Sequence, residues 1–234
     1  MEYISNTDLN GADILKIFVE SGLHTVGNMR VNWSKPVVCV CLVTFMNWRK
    51  ALLIRQNTPF FHAEHGIIEF LRINIPRIRF VKIFCNYSPC SKPGYECCNS
   101  IGKIKEDLKT QERIRGNGVR VSLTFAFSNL FNIARPSCWK RGCFETGRNE
   151  HIRPQENDTS LSNLCSFGPS IRSFEMADWV ALIELLALSD TKRGVETGIL
   201  TSFRFGEKYG FWRDLEDAEL KRDFQILKDN YNGL

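Results

Sequence analysis

The chain has 234 residues, 43% of them hydrophobic and 24% charged, the values of an ordinary globular protein. Its 17 Phe and 5 Trp exclude a disordered chain, its 16 Gly and 8 Pro exclude collagen, and no apolar run approaches the roughly 18 residues of a spanning helix. The net charge of +5 is unevenly spread. Residues 30–82 carry nine Lys/Arg against Glu64 and Glu69, while from Phe211 onward four bases face six acids, so the basic half suits a polyanionic partner.

Thr7 or Asp8 can cap a first helix that Gly22 would stop, with Ile14, Ile17, Phe18 and Ser21 on its inner face. Two apolar β-type runs follow, PVVCVCLVTFM and ALLIRQ, and the polar bend Asn47-Trp48-Arg49-Lys50 joins them as an antiparallel hairpin. A short helix is expected at about His62–Leu71, then a buried strand in RFVKIFCNY. A helix from about Cys97 to Gln111 leads through the turn Arg115-Gly116-Asn117-Gly118 into the strand VRVSLTFAF. Residues 135–157 read as a surface insertion. A short helix ending at Gly168, a fifth strand near Ser170–Glu175, an apolar helix at Ala177–Leu188 and a loop over 189–210 come next. The last helix carries Leu220, Phe224, Leu227 and Tyr231 as one inward stripe. Strands separated by helices imply one α/β domain over 1–234, a layered sandwich around about five mixed strands with about six helices.

The opening MEYISNTDLNGAD has no basic n-region and no apolar h-region, so a cytoplasmic or nuclear protein with no membrane partner is expected. Nine cysteines in such a chain point to metal ligation or buried free thiols rather than disulfides. Cys39, Cys41 and Cys85 stand in apolar runs and read as core thiols. His62-Ala63-Glu64, Pro89-Cys90 and Cys97 are different, because each opens an expected helix after a strand or loop. Free N–H groups and the macrodipole there stabilise a thiolate. Two thiolates and one neutral imidazole suit Zn²⁺, one per chain. Three protein ligands leave the fourth tetrahedral position to a water that ionises near neutral pH. A carboxylate two residues from the histidine can move that water's proton without ligating the metal. The second thiolate is Cys97 or its neighbour Cys98.

The pattern H-x-E…P-C…C is that of zinc-dependent base deaminases, and here the chain resembles the AID/APOBEC-type cytidine deaminases. His62-Ala63-Glu64 matches the zinc histidine and catalytic glutamate; Tyr87-Ser88-Pro89-Cys90 resembles the family's Trp-Ser-Pro-Cys, and Tyr95-Glu96-Cys97 its aromatic-acid-Cys. Leu123–Phe131 lies over the family's strand and specificity loop, with Phe131 in the place of its base-stacking Tyr. Leu161–Glu175 and Met176-Ala177-Asp178-Trp179 resemble its later helix, strand and turn, and Trp212 to Leu227 its closing helix. Two departures stand out. Six residues separate Cys90 from Cys97, more than the family's usual spacing, with Lys92-Pro93-Gly94 as an inserted turn; and Pro36 stands near the place of a family threonine.

The resemblance implies a cytidine-deaminase-like three-layer α/β/α fold and hydrolytic deamination of cytosine to uracil in single-stranded DNA or RNA. It implies Glu64 as the catalytic acid–base, with zinc on His62, Cys90 and Cys97. Asn57 would contact sugar or base, backbone atoms around Ala63 and Ser88 the cytosine edge, and Tyr87 and Phe131 the substrate. Arg49, Lys50 and Arg55 would meet phosphates. A free-nucleoside or nucleotide deaminase with the same chemistry is the alternative, and a non-catalytic zinc protein that binds nucleic acid a third reading.

Overall fold

The computed structural model describes residues 1–21, 36–91, 94, 96–116, 119–130, 133, 135–137, 162–195 and 211–232. Within them lie strands β1 (Glu2–Ser5), β2 (Val38–Phe45), β3 (Lys50–Gln56), β4 (Ile78–Cys85), β5 (Ser122–Phe127) and β6 (Ile171–Ser173). The principal helices are α1 (Gly11–Glu20), α2 (Ala63–Asn74), α3 (Cys97–Arg115), α4 (Met176–Arg193) and α5 (Phe211–Asn232). The strands form one mixed sheet in the order β1-β3-β2-β4-β5-β6. β2 is antiparallel to β3 and β4, while β4, β5 and β6 run parallel and β1 runs parallel to β3.

Alternation along the strands builds two cores. Val38, Val40, Leu52, Ile54, Phe84 and Ala126 face one side, where α1 and α4 cover them with Leu15, Phe18, Trp179 and Leu182. Cys39, Cys41, Leu53, Ile83, Cys85, Phe125 and Phe127 face the other. There α2, α3 and α5 supply Ile67, Leu71, Ile101, Ile104, Leu220 and Phe224. The result is helices, sheet, helices in three layers. The expected inner faces of α1 and α5 are buried as read, except that Leu227 is only partly buried and Tyr231 is 39% exposed.

The sheet has six strands and not about five. The missed strand, β1, has only four residues, too few to show a period, and is an edge strand that exists through its parallel pairing with Ala51 to Ile54. That strand also displaces the start of α1. Asn10, not Thr7 or Asp8, is the N-cap, and its side chain accepts the Asp13 N–H at 2.8 Å. Asp190 accepts the Gly11 N–H, which ties α1 to α4. α3 and α4 run past the expected ends, to Arg115 and Arg193. Gly194 closes α4 in the left-handed region at φ 69°.

The residues that open the expected insertion are not on the surface. Arg135 and Ser137 are buried. The Arg135 guanidinium pairs with Glu216 and, at 2.8 Å, with Asp223 of α5. Asp223 also accepts the Ser137 N–H and hydroxyl. Residues 138–157 lie outside the described residues, as do Gly22 and Phe131.

Candidate metal centre

The carboxyl ends of β4 and β5 and the start of α2 and α3 meet at one end of the sheet, the place where open α/β sheets hold ligands. His62 is the N-cap of α2 and makes no side-chain cap bond; its imidazole faces Cys90 and Cys97 instead. Cys97 is the first residue of α3. Between them the loop after β4 carries Cys90, whose carbonyl accepts the Cys98 N–H at 2.9 Å. The connection needs unusual backbone: Gly94 has φ 85° and Glu96 φ 39°. Glycine meets the first at little cost, and Glu96 accepts a left-handed conformation costing on the order of 1 kcal/mol to put Cys97 at the helix start.

His62 Nδ1 lies 3.2 Å from Cys90 Sγ and 3.4 Å from Cys97 Sγ. The three atoms are mutually within 4.8 Å. A tetrahedral zinc with Zn–S about 2.3 Å and Zn–N about 2.1 Å would separate N and S ligand atoms by about 3.6 Å. The observed spacing is within a few tenths of that, and an imidazole with two sulfurs is a donor set that zinc favours. These three residues could hold a metal ion. Cys98 points elsewhere: it packs in the core under α3 beside Ser91, and burial pushes its thiol up to about 12.

Glu64, in the first turn of α2, is 4% exposed. Its Oε2 is buried with no hydrogen-bond partner among the described residues. Burial pushes its carboxyl up to about 8, and the nearby Cys90 sulfur adds to this when ionised, against a backbone hydrogen bond that lowers it. Beneath it Cys39 and Cys85, opposite one another on β2 and β4, bring their sulfurs to 3.0 Å. Both are fully buried thiols held un-ionised mainly by burial. Sequence reading placed them in the core but gave no sign that they floor the site, because only the β2–β4 register aligns them.

The other candidates divide. Arg55 lines a cavity of about 590 Å³ beside the centre with Phe61, His62, His65 and Arg72. Arg49 and Lys50 stand at the opposite end of β3 from Gln56, about 20 Å away at 3.3 Å per residue, and line a different cavity with Phe45 and Arg77. They do not join the site; basic residues close in sequence are separated because β3 carries them to opposite ends of the sheet. Asn57 uses its side-chain carbonyl to accept the Val37 N–H at 2.8 Å, fixing the entry to β2. Ser88 spends its N–H on the Asn129 carbonyl at 2.8 Å, so that N–H is not offered to a base edge. Ala63 is buried at the start of α2. Tyr87 is 2% exposed, and its hydroxyl is engaged with Ser21.

Among the described residues no helix is long and apolar enough to cross a membrane. No protein-family model matches the chain, and no curated protein matches it significantly.

Proposed function

We propose that this chain is a zinc-dependent cytidine deaminase with the corresponding three-layer fold, acting on cytosine in single-stranded DNA or RNA. The observation that carries the reading is a buried carboxylate with an oxygen unpartnered among the described residues, two residues from an imidazole that converges with two cysteines. A purely structural metal site has no use for that carboxylate, and burying it unpaired is costly. His62, Cys90 and Cys97 would hold Zn²⁺, which when bound supplies a water activated as a nucleophile near neutral pH.

The chain's own residues do the rest. Glu64 takes one proton from the attacking water and delivers it to cytosine N3, then takes the second from the hydroxyl now on C4 and delivers it to the departing amino group. Water replaces the amine at C4, and uracil and ammonia leave. The sheet face beneath, with Cys39 and Cys85 un-ionised, keeps the carboxylate away from bulk water. The open cavity toward Arg55 and Arg72 supports a polyanionic substrate over a free nucleoside. The test compares uracil formation from cytosine-containing ssDNA, from RNA and from free cytidine by zinc-loaded protein. Faster turnover of either oligonucleotide is expected. Turnover of cytidine alone would move the reading to a nucleoside deaminase, and no turnover of any substrate at full zinc would overturn it.

A further inference from the structure

We propose that the turn ahead of α2, Thr58-Pro59-Phe60-Phe61, together with Arg55 and Arg72, is a docking platform for a nucleotide flanking the reactive base, an inference that rests on the polynucleotide reading above. Phe60 is 78% exposed and Phe61 65%. Among the described residues no large hydrophobic side chain is more exposed than Phe60, and two such rings directly precede His62.

They are not loose. Thr58 N–H donates to the Phe61 carbonyl at 2.8 Å, and Thr58 Oγ1 accepts the Phe61 N–H at 3.1 Å and the Phe60 N–H at 3.4 Å. The preceding Asn57 N–H is fixed to the Val37 carbonyl at 2.9 Å. A turn closed in this way fixes the backbone from which both rings project before any ligand arrives, so little backbone ordering entropy is lost on binding. An aromatic face held out to solvent stacks on any base.

The second observation concerns charge. Arg55 lies against α2 at Gly66, where a Cβ would come within 2.9 Å of its Nε. That Nε is buried and has no hydrogen-bond partner among the described residues. Arg72 lines the same cavity, and Glu69 is the one acidic residue in its described lining. Two guanidinium groups lining one cavity with a single carboxylate, one of them held against α2 with its Nε unmatched among the described residues, favour an anion there, and a phosphodiester next to a stacked base satisfies both features.

The test is binding of fluorescent oligothymidylate and oligouridylate to the zinc-loaded protein, read by anisotropy over a salt series. These probes hold no cytosine, so the result is independent of deamination. Phe60→Ala with Phe61→Ala should weaken binding at least about five-fold, the low end of one base–aromatic stack. Phe60→Trp should retain wild-type affinity. Arg55→Gln should reduce the salt slope by about 0.7, one phosphate in a single strand. Zinc content and melting temperature serve as fold controls. If the double variant misfolds, Phe60→Ser alone, at the more exposed of the two positions, carries the test. Unchanged affinity and slope in folded variants would overturn the platform even if the protein deaminates cytosine. Loss of binding in a protein that deaminates nothing would keep the platform and remove only the deaminase reading.

Discussion

Glu64 is the residue on which chemistry and folding separate most cleanly. It is buried, carries an oxygen with no partner among the described residues and does not belong to the His62–Cys90–Cys97 cluster. Glu64→Gln should therefore keep zinc and fold while turnover falls at least ~10²-fold, the low end of a positioned general acid–base. Metal analysis alongside the assay checks both halves. Cys97 and Cys98 give a second residue-scale test. Cys97→Ser should lose zinc, and Cys98→Ser should keep it at a modest cost in stability, measured as metal content and urea midpoint. Equal zinc in both variants would refute the geometry. His62, Glu64 and Cys90 were legible in sequence because their chemistry lies in residue type and spacing. Residue type alone left Cys97 and Cys98 open and only the resemblance favoured Cys97; the structural reason is the left-handed Glu96 that sets where α3 begins. Arg49 and Arg55 looked alike as nearby bases in sequence, and only the run of β3 between them separates them.

At the scale of elements, α5 is fastened by buried charge as well as by Leu220 and Phe224. Arg213 is 1% exposed, bonds Asp217 at 2.8 Å and donates to the Ser128 carbonyl; Trp179 Nε1 donates to Asp217 at 2.6 Å. Ser128 precedes Asn129, whose carbonyl holds the Ser88 N–H, two residues from Cys90. The closing helix thus braces the loop that supplies a sulfur to the centre. Arg135 completes the fastening through Glu216 and Asp223. Arg135→Ala leaves those carboxylates buried without their cation and should cost about 3–5 kcal/mol, read as a lower urea midpoint at unchanged m. A loss under about 1 kcal/mol would mean that water reaches the pair. The helices were readable from their apolar stripes, whereas Arg135 in the run RPSCWKRGC looks like any loop base. Its burial follows from where α5 lies, which no local pattern encodes.

For the whole molecule, the sheet order explains why the centre sits where it does. β4 lies between antiparallel β2 and parallel β5, and α2 and α3 both begin beside it. Alternating strands and helices made the layered α/β architecture legible; β1 at the edge was not, since its four residues gain strand structure only from β3. Because the ligands come from the loop after β4 and the starts of two helices, metal and fold should be coupled. Chelation should lower the melting temperature by about 5–10 °C, the equivalent of a ligand at 100 times its Kd in a chain of this size. An unchanged melt after complete zinc removal would uncouple the centre from the fold. The most direct test of the central claim is cytosine-to-uracil conversion in single-stranded oligonucleotides by wild type and Glu64→Ala at equal zinc occupancy. Uracil formed by wild type and lost in the variant is the predicted result. Equal conversion by both, or none by fully loaded wild type, would contradict it.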